Sequence, residues 1–222
     1  MTERHALLHG LYAITPDTTA DLDDRVAAAL TGGARVIQYR NKCADADHRL
    51  AQAQRLAALC HAHDALLLIN DDVALAAASG AHGVHLGQGD MPLAAARREL
   101  GAGAIIGITC HASIELARAA EAGGADYVAF GRFFASRSKP TAPPAPLSLV
   151  QEARRALGLP LVAIGGITPE NGAQLIRAGA HMLAAIDGVF AAADIARTVR
   201  DWQALFAAGE TDVENPDPKE TP

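Results

Sequence analysis

The sequence predicts an α/β fold, a single (β/α)8 TIM barrel followed by a disordered acidic C-terminal tail. Three observations carry that reading. Eight short apolar runs alternate with helical segments along 222 residues, a length that suits one barrel. Glycine recurs where helices turn back toward strands, in Gly32-Gly33-Ala34, Gly80-Ala81, Gly123-Gly124-Ala125 and Gly179-Ala180, the C-cap signal of a wound parallel fold. The unusual polar residues stand just after the apolar runs, and in a barrel all those strand ends share one face, which holds the active site. A doubly wound open sheet is the structural competitor. Eight units, with candidates after seven of the strands, favour the closed ring.

The elements follow in order. Residues 11–15 are the first strand, ended by the Pro16-Asp17 turn and cap signal, and 21–30 read as an amphipathic helix. A strand over 34–39, with Val36 and Ile37 buried, leads to a long helix over 46–63. The fully apolar 66–69 is the third strand, with a short helix over 71–79. Strand 83–86 precedes a helix over 91–100 with Pro92 near its start. Strand 105–108 precedes helix 113–122, capped by Ser113. Strand 126–130 and helix 147–157 come next. Strand 161–164 leads to helix 169–178, with Thr168 as N-cap and Pro169 at the first helical position. Strand 182–186, a short eighth element and a closing helix over 194–207 complete the ring. Continuously apolar strands suit a parallel sheet covered by helices. Residues 135–146, rich in Ser and Pro, form the one long loop, of a length often seen in active-site lids. The catalytic domain therefore spans 1–208. Residues 209–222, with acids, prolines and no apolar periodicity, are expected to be disordered.

Charge narrows the function. The net charge is −6, yet residues 210–222 hold five acids against Lys219, so the body carries only about −2. A near-neutral body argues against nucleic-acid binding, which needs a basic footprint. It leaves room for a local basic pocket for a small anion. The three cysteines, Cys43, Cys60 and Cys110, have neither an even count nor metal spacing, which fits a reducing cytoplasm. No apolar run reaches the ~18 residues of a membrane span, and the first ten residues lack a signal-peptide core. The expectation is a soluble cytoplasmic protein without nucleic-acid or membrane partners; a homo-oligomer is left open.

The strand ends carry the candidate chemistry. Gln38, Arg40 and Lys42 alternate along one strand end and so point to one side, where two cations and an amide suit a phosphate or pyrophosphate. The alternative is a solvated strand end. After the next strand, Asp71 pairs with Asp90 as a candidate site for a divalent cation, with Asp72 left as the helix cap; capping is the alternative for both neighbours. The glycines of Gly87-Gln88-Gly89-Asp90 permit backbone approach to a ligand; the alternative is an ordinary tight turn. His85 reads as a core or rim histidine. His111, beyond its strand end, either caps the following helix or bonds a substrate. Cys110 reads as a small packing residue. Ser136, Ser138 and Lys139, with Arg137, could grip an anion, or belong to a charged surface loop. Gly165-Gly166 and Ile186-Asp187-Gly188 follow the seventh and eighth strands, where barrels often bind phosphate through backbone N–H groups. Asp187 sits awkwardly there, because a carboxylate repels phosphate.

Taken in order, Gln38-Tyr39-Arg40-Asn41-Lys42, Asn70-Asp71-Asp72, the run from Gly83 to Asp90, and Gly165-Gly166-Ile167 resemble the thiamine-phosphate synthase family over roughly residues 11–195. The resemblance implies a transferase. It would condense 4-amino-2-methyl-5-(diphosphooxymethyl)pyrimidine, a pyrimidine pyrophosphate, with a thiazole phosphate, giving thiamine phosphate and pyrophosphate. It implies that Gln38, Arg40, Lys42 and Asn70 hold the pyrimidine pyrophosphate and that Asp71 and Asp90 hold Mg2+. Arg40, Lys42 and Lys139 would be catalytic by stabilising the leaving pyrophosphate. Thr109 stands where the family has a serine near the pyrimidine. Ser136 and Ser138 stand in place of threonines that bind substrate phosphates with Lys139. Gly166 and the Ile186–Asp187 backbone would take the thiazole phosphate, although the family usually has serine at the position of Asp187. The alternatives are a thiazole tautomerase, which needs no pyrophosphate–metal centre, and a non-catalytic barrel that binds phosphate ligands.

Overall fold

The computed structural model describes residues 3–17, 21–135 and 144–214. A short 3-10 turn over Glu3–Leu7 precedes the ring. The strands are β1 (Gly10–Ile14), β2 (Val36–Tyr39), β3 (Leu66–Asn70), β4 (Gly83–Leu86), β5 (Ile105–His111), β6 (Tyr127–Gly131), β7 (Leu161–Ile164) and β8 (Met182–Ala185). The helices between and after them are α1 (Leu22–Thr31), α2 (Ala46–Ala62), α3 (Val73–Ser79), α4 (Leu93–Leu100), α5 (Ile114–Ala122), α6 (Ser148–Ala156), α7 (Pro169–Arg177), α8 (Asp187–Phe190) and α9 (Ile195–Glu214). The strands pair in sequence order, all parallel, and β8 pairs with β1 to close the barrel.

Alternation along each strand sorts the side chains into two cores. Leu11, Ala13, Ile37, Leu67, Ile69, Val84 and Leu86 face outward and pack with the helices, where Trp202 of α9 is fully buried. Tyr12, Ile14, Val36, Leu66, Leu68, Ile105, Tyr127 and Met182 face inward and fill the ring. Room inside is scarce. A Cβ added at Gly107 would lie 1.9 Å from the Tyr127 ring, so the absence of a side chain on β5 is what admits the tyrosine of β6.

Several boundaries differ from the sequence expectation. Helix α3 begins at Val73 because Asp72, not Asp71, is the cap: its side chain accepts the Leu75 N–H at 2.9 Å. Helix α4 begins after Pro92, which sits at the N-cap position and not within the helix. Strand β5 runs on to His111 through a register shift between Thr109 and His111. Helix α9 continues to Glu214, past the end expected at 207. Among the described residues no helix is long and apolar enough to cross a membrane.

At the amino-terminal end of the barrel the same joint occurs three times. His82 donates its backbone N–H to Leu67 O (2.8 Å), and its Nδ1 accepts the Leu67 N–H (3.0 Å). His181 does the same with Leu161, at 2.9 and 3.0 Å. Asp126 does so with Ile106, its carboxylate accepting the N–H at 2.7 Å. Burial, with help from His61 and Arg4, pushes the His82 imidazole down from 6.5 to about 4. As pH falls from 6.5 toward 4 the unfolded chain therefore takes up a proton that the folded chain refuses, and stability is lost over that window. His82→Asn keeps an acceptor for Leu67 without a titrating ring. Its melting temperature should fall less than that of the unaltered protein between neutral pH and about pH 4.5, as read by scanning calorimetry; equal falls would contradict the assignment.

Candidate active site

The carboxyl ends of the strands surround a cavity of about 880 Å³ to which all eight contribute. Gln38, Arg40, Lys42, Asn70, Asp71, Asp90, Thr109, His111, Gly166, Ile186 and Asp187 all line it. Ser136, Ser138 and Lys139 lie outside the described residues; Ala135, just before them, is on the cavity wall. Because β3 and β7 are four strands apart in a ring of eight, the charged arc on β2–β4 faces the glycine-lined ends of β7 and β8 across the mouth.

On the charged arc, Thr15 and Arg40 exchange hydrogen bonds, with Thr15 Oγ1 accepting from Arg40 N (2.9 Å) and donating to Arg40 O (3.0 Å). Asp17 then holds both cationic residues: one oxygen lies 2.5 Å from Arg40 Nη1 and the other accepts the Lys42 backbone N–H at 2.9 Å. Asp17 was legible in the sequence only as a turn residue. The Lys42 ammonium lies 3.3 Å from Asp71 Oδ2. Asp71 adopts a left-handed backbone (φ 64°) that few non-glycine residues tolerate. Burial, and then Asp90 beside it, push the Asp71 carboxyl above its ordinary range, while Lys42 pulls it down. Asp90 is held in turn by the Gly87 N–H, which its Oδ2 accepts at 2.7 Å. Two carboxyl groups crowded together, one raised by the other, suit a hard dication with oxygen ligands. Among the described residues no group of three or more His, Cys, Asp or Glu could hold a metal. A site of two carboxylates would therefore need waters or substrate oxygens to complete it, the manner of Mg2+.

The floor is a chain of buried polar groups. Gln38 Nε2 donates to the Tyr12 hydroxyl at 2.7 Å, and the Tyr12 and Tyr127 hydroxyls are 2.7 Å apart. His85 follows, with Nδ1 2.9 Å from the Tyr127 hydroxyl and Nε2 2.8 Å from Thr109 Oγ1. Burial pushes both phenols up, so both stay protonated. The tyrosines were missed from sequence because each sits in an apolar run; the available signal was their shared inward parity with Gln38 and His85. His85 is indeed in the barrel core, but fully engaged through both ring nitrogens. His111, at φ 52°, does not cap α5; Ser113 does, accepting from Leu116 N at 3.2 Å. Cys110 is buried on the outward side and its thiol is pushed up to about 12 by burial, which leaves it a packing residue.

Opposite, the glycine pair makes room for a neighbouring loop. A Cβ at Gly165 would meet Arg132 Cβ at 2.3 Å, and one at Gly166 would meet Ala135 O at 2.1 Å. Asn171 braces the turn by donating to Gly166 O (3.0 Å) and accepting from Thr168 N (2.9 Å). Asp187 opens the four-residue helix α8.

The fold and site together define a (β/α)8-barrel protein that gathers cations, paired carboxylates and close-packed backbone around one cavity sized for small anionic molecules. The sequence profile of the thiamine monophosphate synthase family matches residues 11–189. The chain is 54% identical over 209 residues to the thiamine-phosphate synthase of Thioalkalivibrio sulfidiphilus, covering 93% of this chain and 99% of that one. It is also 54% identical over 203 residues to that of Chromobacterium violaceum, covering 90% and 98%. Among solved structures, the thiamine phosphate pyrophosphorylase from Pyrococcus furiosus superposes with a TM-score of 0.84 at 31% identity, covering 94% of this chain and 99% of its own. The chain belongs to the thiamine monophosphate synthase family.

Gly166→Ala should destabilise the protein by about 2 kcal/mol or more, because the added methyl meets backbone and not a flexible side chain. Denaturant unfolding checks this, and a change within error would show that the loop yields freely.

Proposed function

We propose that the protein is a transferase that joins 4-amino-2-methyl-5-(diphosphooxymethyl)pyrimidine to a thiazole phosphate, forming thiamine phosphate and releasing pyrophosphate. The observation that carries this reading is the division of the cavity mouth. Arg40, Lys42, Asp71 and Asp90 occupy one arc and the close-packed backbone of Gly165–Gly166 and Ile186–Gly188 the other, with uncharged Gln38 and Thr109 between. One arc suits a pyrophosphate and the other a phosphate, and the floor suits a neutral heterocycle.

In the reaction the bond from the pyrimidine methylene to the pyrophosphate oxygen breaks, and its electron pair leaves with pyrophosphate. The amino group on the ring stabilises the methylene cation, and the thiazole nitrogen lone pair closes the new C–N bond. No protein nucleophile is needed. Arg40, Lys42 and Lys139 stabilise the charge that gathers on the leaving group, while Asn70 and Gln38 orient the pyrimidine half. Thr109 and His111 bound the ring, and Ser136 and Ser138 supply hydroxyls to the phosphates. Gly166 and the Ile186–Asp187 backbone receive the thiazole phosphate. Asp71 and Asp90 would hold Mg2+, which supplies counter-charge to the pyrophosphate when bound. Water must be kept from the cation, a task for the closed floor. Three thiols with no disulfide among them suit the cytoplasm.

The test is direct turnover of the two substrates with Mg2+, followed by oxidation of product to fluorescent thiochrome. Metal-dependent product, lost with chelator, is the expected result. Folded protein without product would shift the assignment to a thiazole tautomerase or a phosphate-binding barrel. Lys139→Ala and Asp71→Ala should each lower turnover roughly 10²-fold or more with melting temperature little changed. Rates like those of the unaltered protein in both variants would overturn the site.

A further inference from the structure

We propose that Tyr12, Tyr127 and His85 are positioning residues whose hydrogen-bond chain runs in one sense, leaving the Thr109 hydroxyl as a donor and the Gln38 carbonyl as an acceptor toward the cavity. Gln38 Nε2 donates to the Tyr12 oxygen, so the Tyr12 hydrogen goes on to the Tyr127 oxygen, 2.7 Å away. A Tyr127 oxygen that accepts from Tyr12 sends its own hydrogen to His85 Nδ1, at 2.9 Å. His85 therefore carries its proton on Nε2 and donates it to Thr109 Oγ1, at 2.8 Å. The Thr109 hydrogen is then left to turn into the cavity, which Thr109 lines. At the other end Gln38, 2% exposed, has spent an amide N–H on Tyr12 and also lines the cavity.

Reversing one link alone leaves two hydrogens facing one another or a buried hydroxyl hydrogen without an acceptor, so all the links share one sense, and the Gln38 amide, with Nε2 toward Tyr12, decides which. The two ends lie on β2 and β5, three strands apart in the ring of eight. A donor on one side and an acceptor on the other match an aminopyrimidine, which offers ring-nitrogen lone pairs and amino hydrogens at separate edges. A ring with an oxo group in place of the amino group presents the opposite polarity at that edge and is rejected. This ligand assignment rests on the function proposed above; the sense of the chain does not.

Two measurements separate them. Long-range ¹H–¹⁵N correlation on the free protein, with the His85 signal assigned by its loss in His85→Gln, should show Nε2 protonated and Nδ1 bare. A proton on Nδ1 would overturn the chain without any substrate being present. In steady-state kinetics Tyr127→Phe removes the hydrogen that fixes the imidazole. KM for the pyrimidine pyrophosphate should rise about tenfold, the scale of one buried hydrogen bond, with KM for the thiazole phosphate unchanged. No rise, or an equal rise for both substrates, would overturn the positioning role. An unaltered protein that shows the Nε2 tautomer and yet turns over neither substrate would overturn the functional reading and its aminopyrimidine ligand, and leave the chain standing.

Discussion

A strand in a closed barrel has one inward parity, and here that parity decides what the protein can hold. Eight parallel strands leave space for few side chains within the ring, and every second residue must enter it. Deep in the ring those residues are apolar: Val36, Leu66, Ile105 and Met182. Higher up, the same parity delivers Gln38, Asn70, His85 and Thr109. A shift of one residue in any strand would turn these outward against the helices and bring leucine or isoleucine to the cavity floor. Glycine shares in the constraint, since Gly107 yields the volume that Tyr127 occupies.

Above the floor the arrangement is electrostatic. Arg40 rests on Asp17, and Lys42 on Asp71. Burial, and then the neighbouring Asp90, raise the Asp71 carboxyl, and Asp71 itself sits in a left-handed backbone. Groups of opposite sign held this close by short loops need little rearrangement to meet an anion accompanied by a cation, which is what preorganisation means in a site of this kind. The neutral body charge is consistent with that local balance.

Much of this was legible in the sequence. The eight units and the residues at their carboxyl ends follow from short-range signals: apolar runs, glycine exits, caps. Asp72 as the cap of α3 was legible too, although the helix itself was expected to start two residues earlier, at 71. What escaped has a common cause in distance along the chain. Tyr12 and Tyr127 are 115 residues apart and meet only because the ring closes, and Asp17 reaches across to Arg40 and Lys42 from another unit. The extension of β5 to His111 depends on a register shift against β6 that no periodicity announces. Helix α9 runs past its expected end through a segment whose acidic, proline-bearing neighbour hides it.

The joints at the other end of the barrel have an implication of their own. They pin β3, β5 and β7 to the residue that leads into the following strand, once each, through Leu67, Ile106 and Leu161. From β3 to β8 the unit that repeats is therefore a pair of strands, and not the single βα unit suggested by counting elements. What recurs at each corner is a lone pair in a given place, supplied twice by a ring nitrogen and once by a carboxylate. Residue identity repeats in only two of the three, so this two-strand period is faint in a comparison of letters and plain in a comparison of atoms.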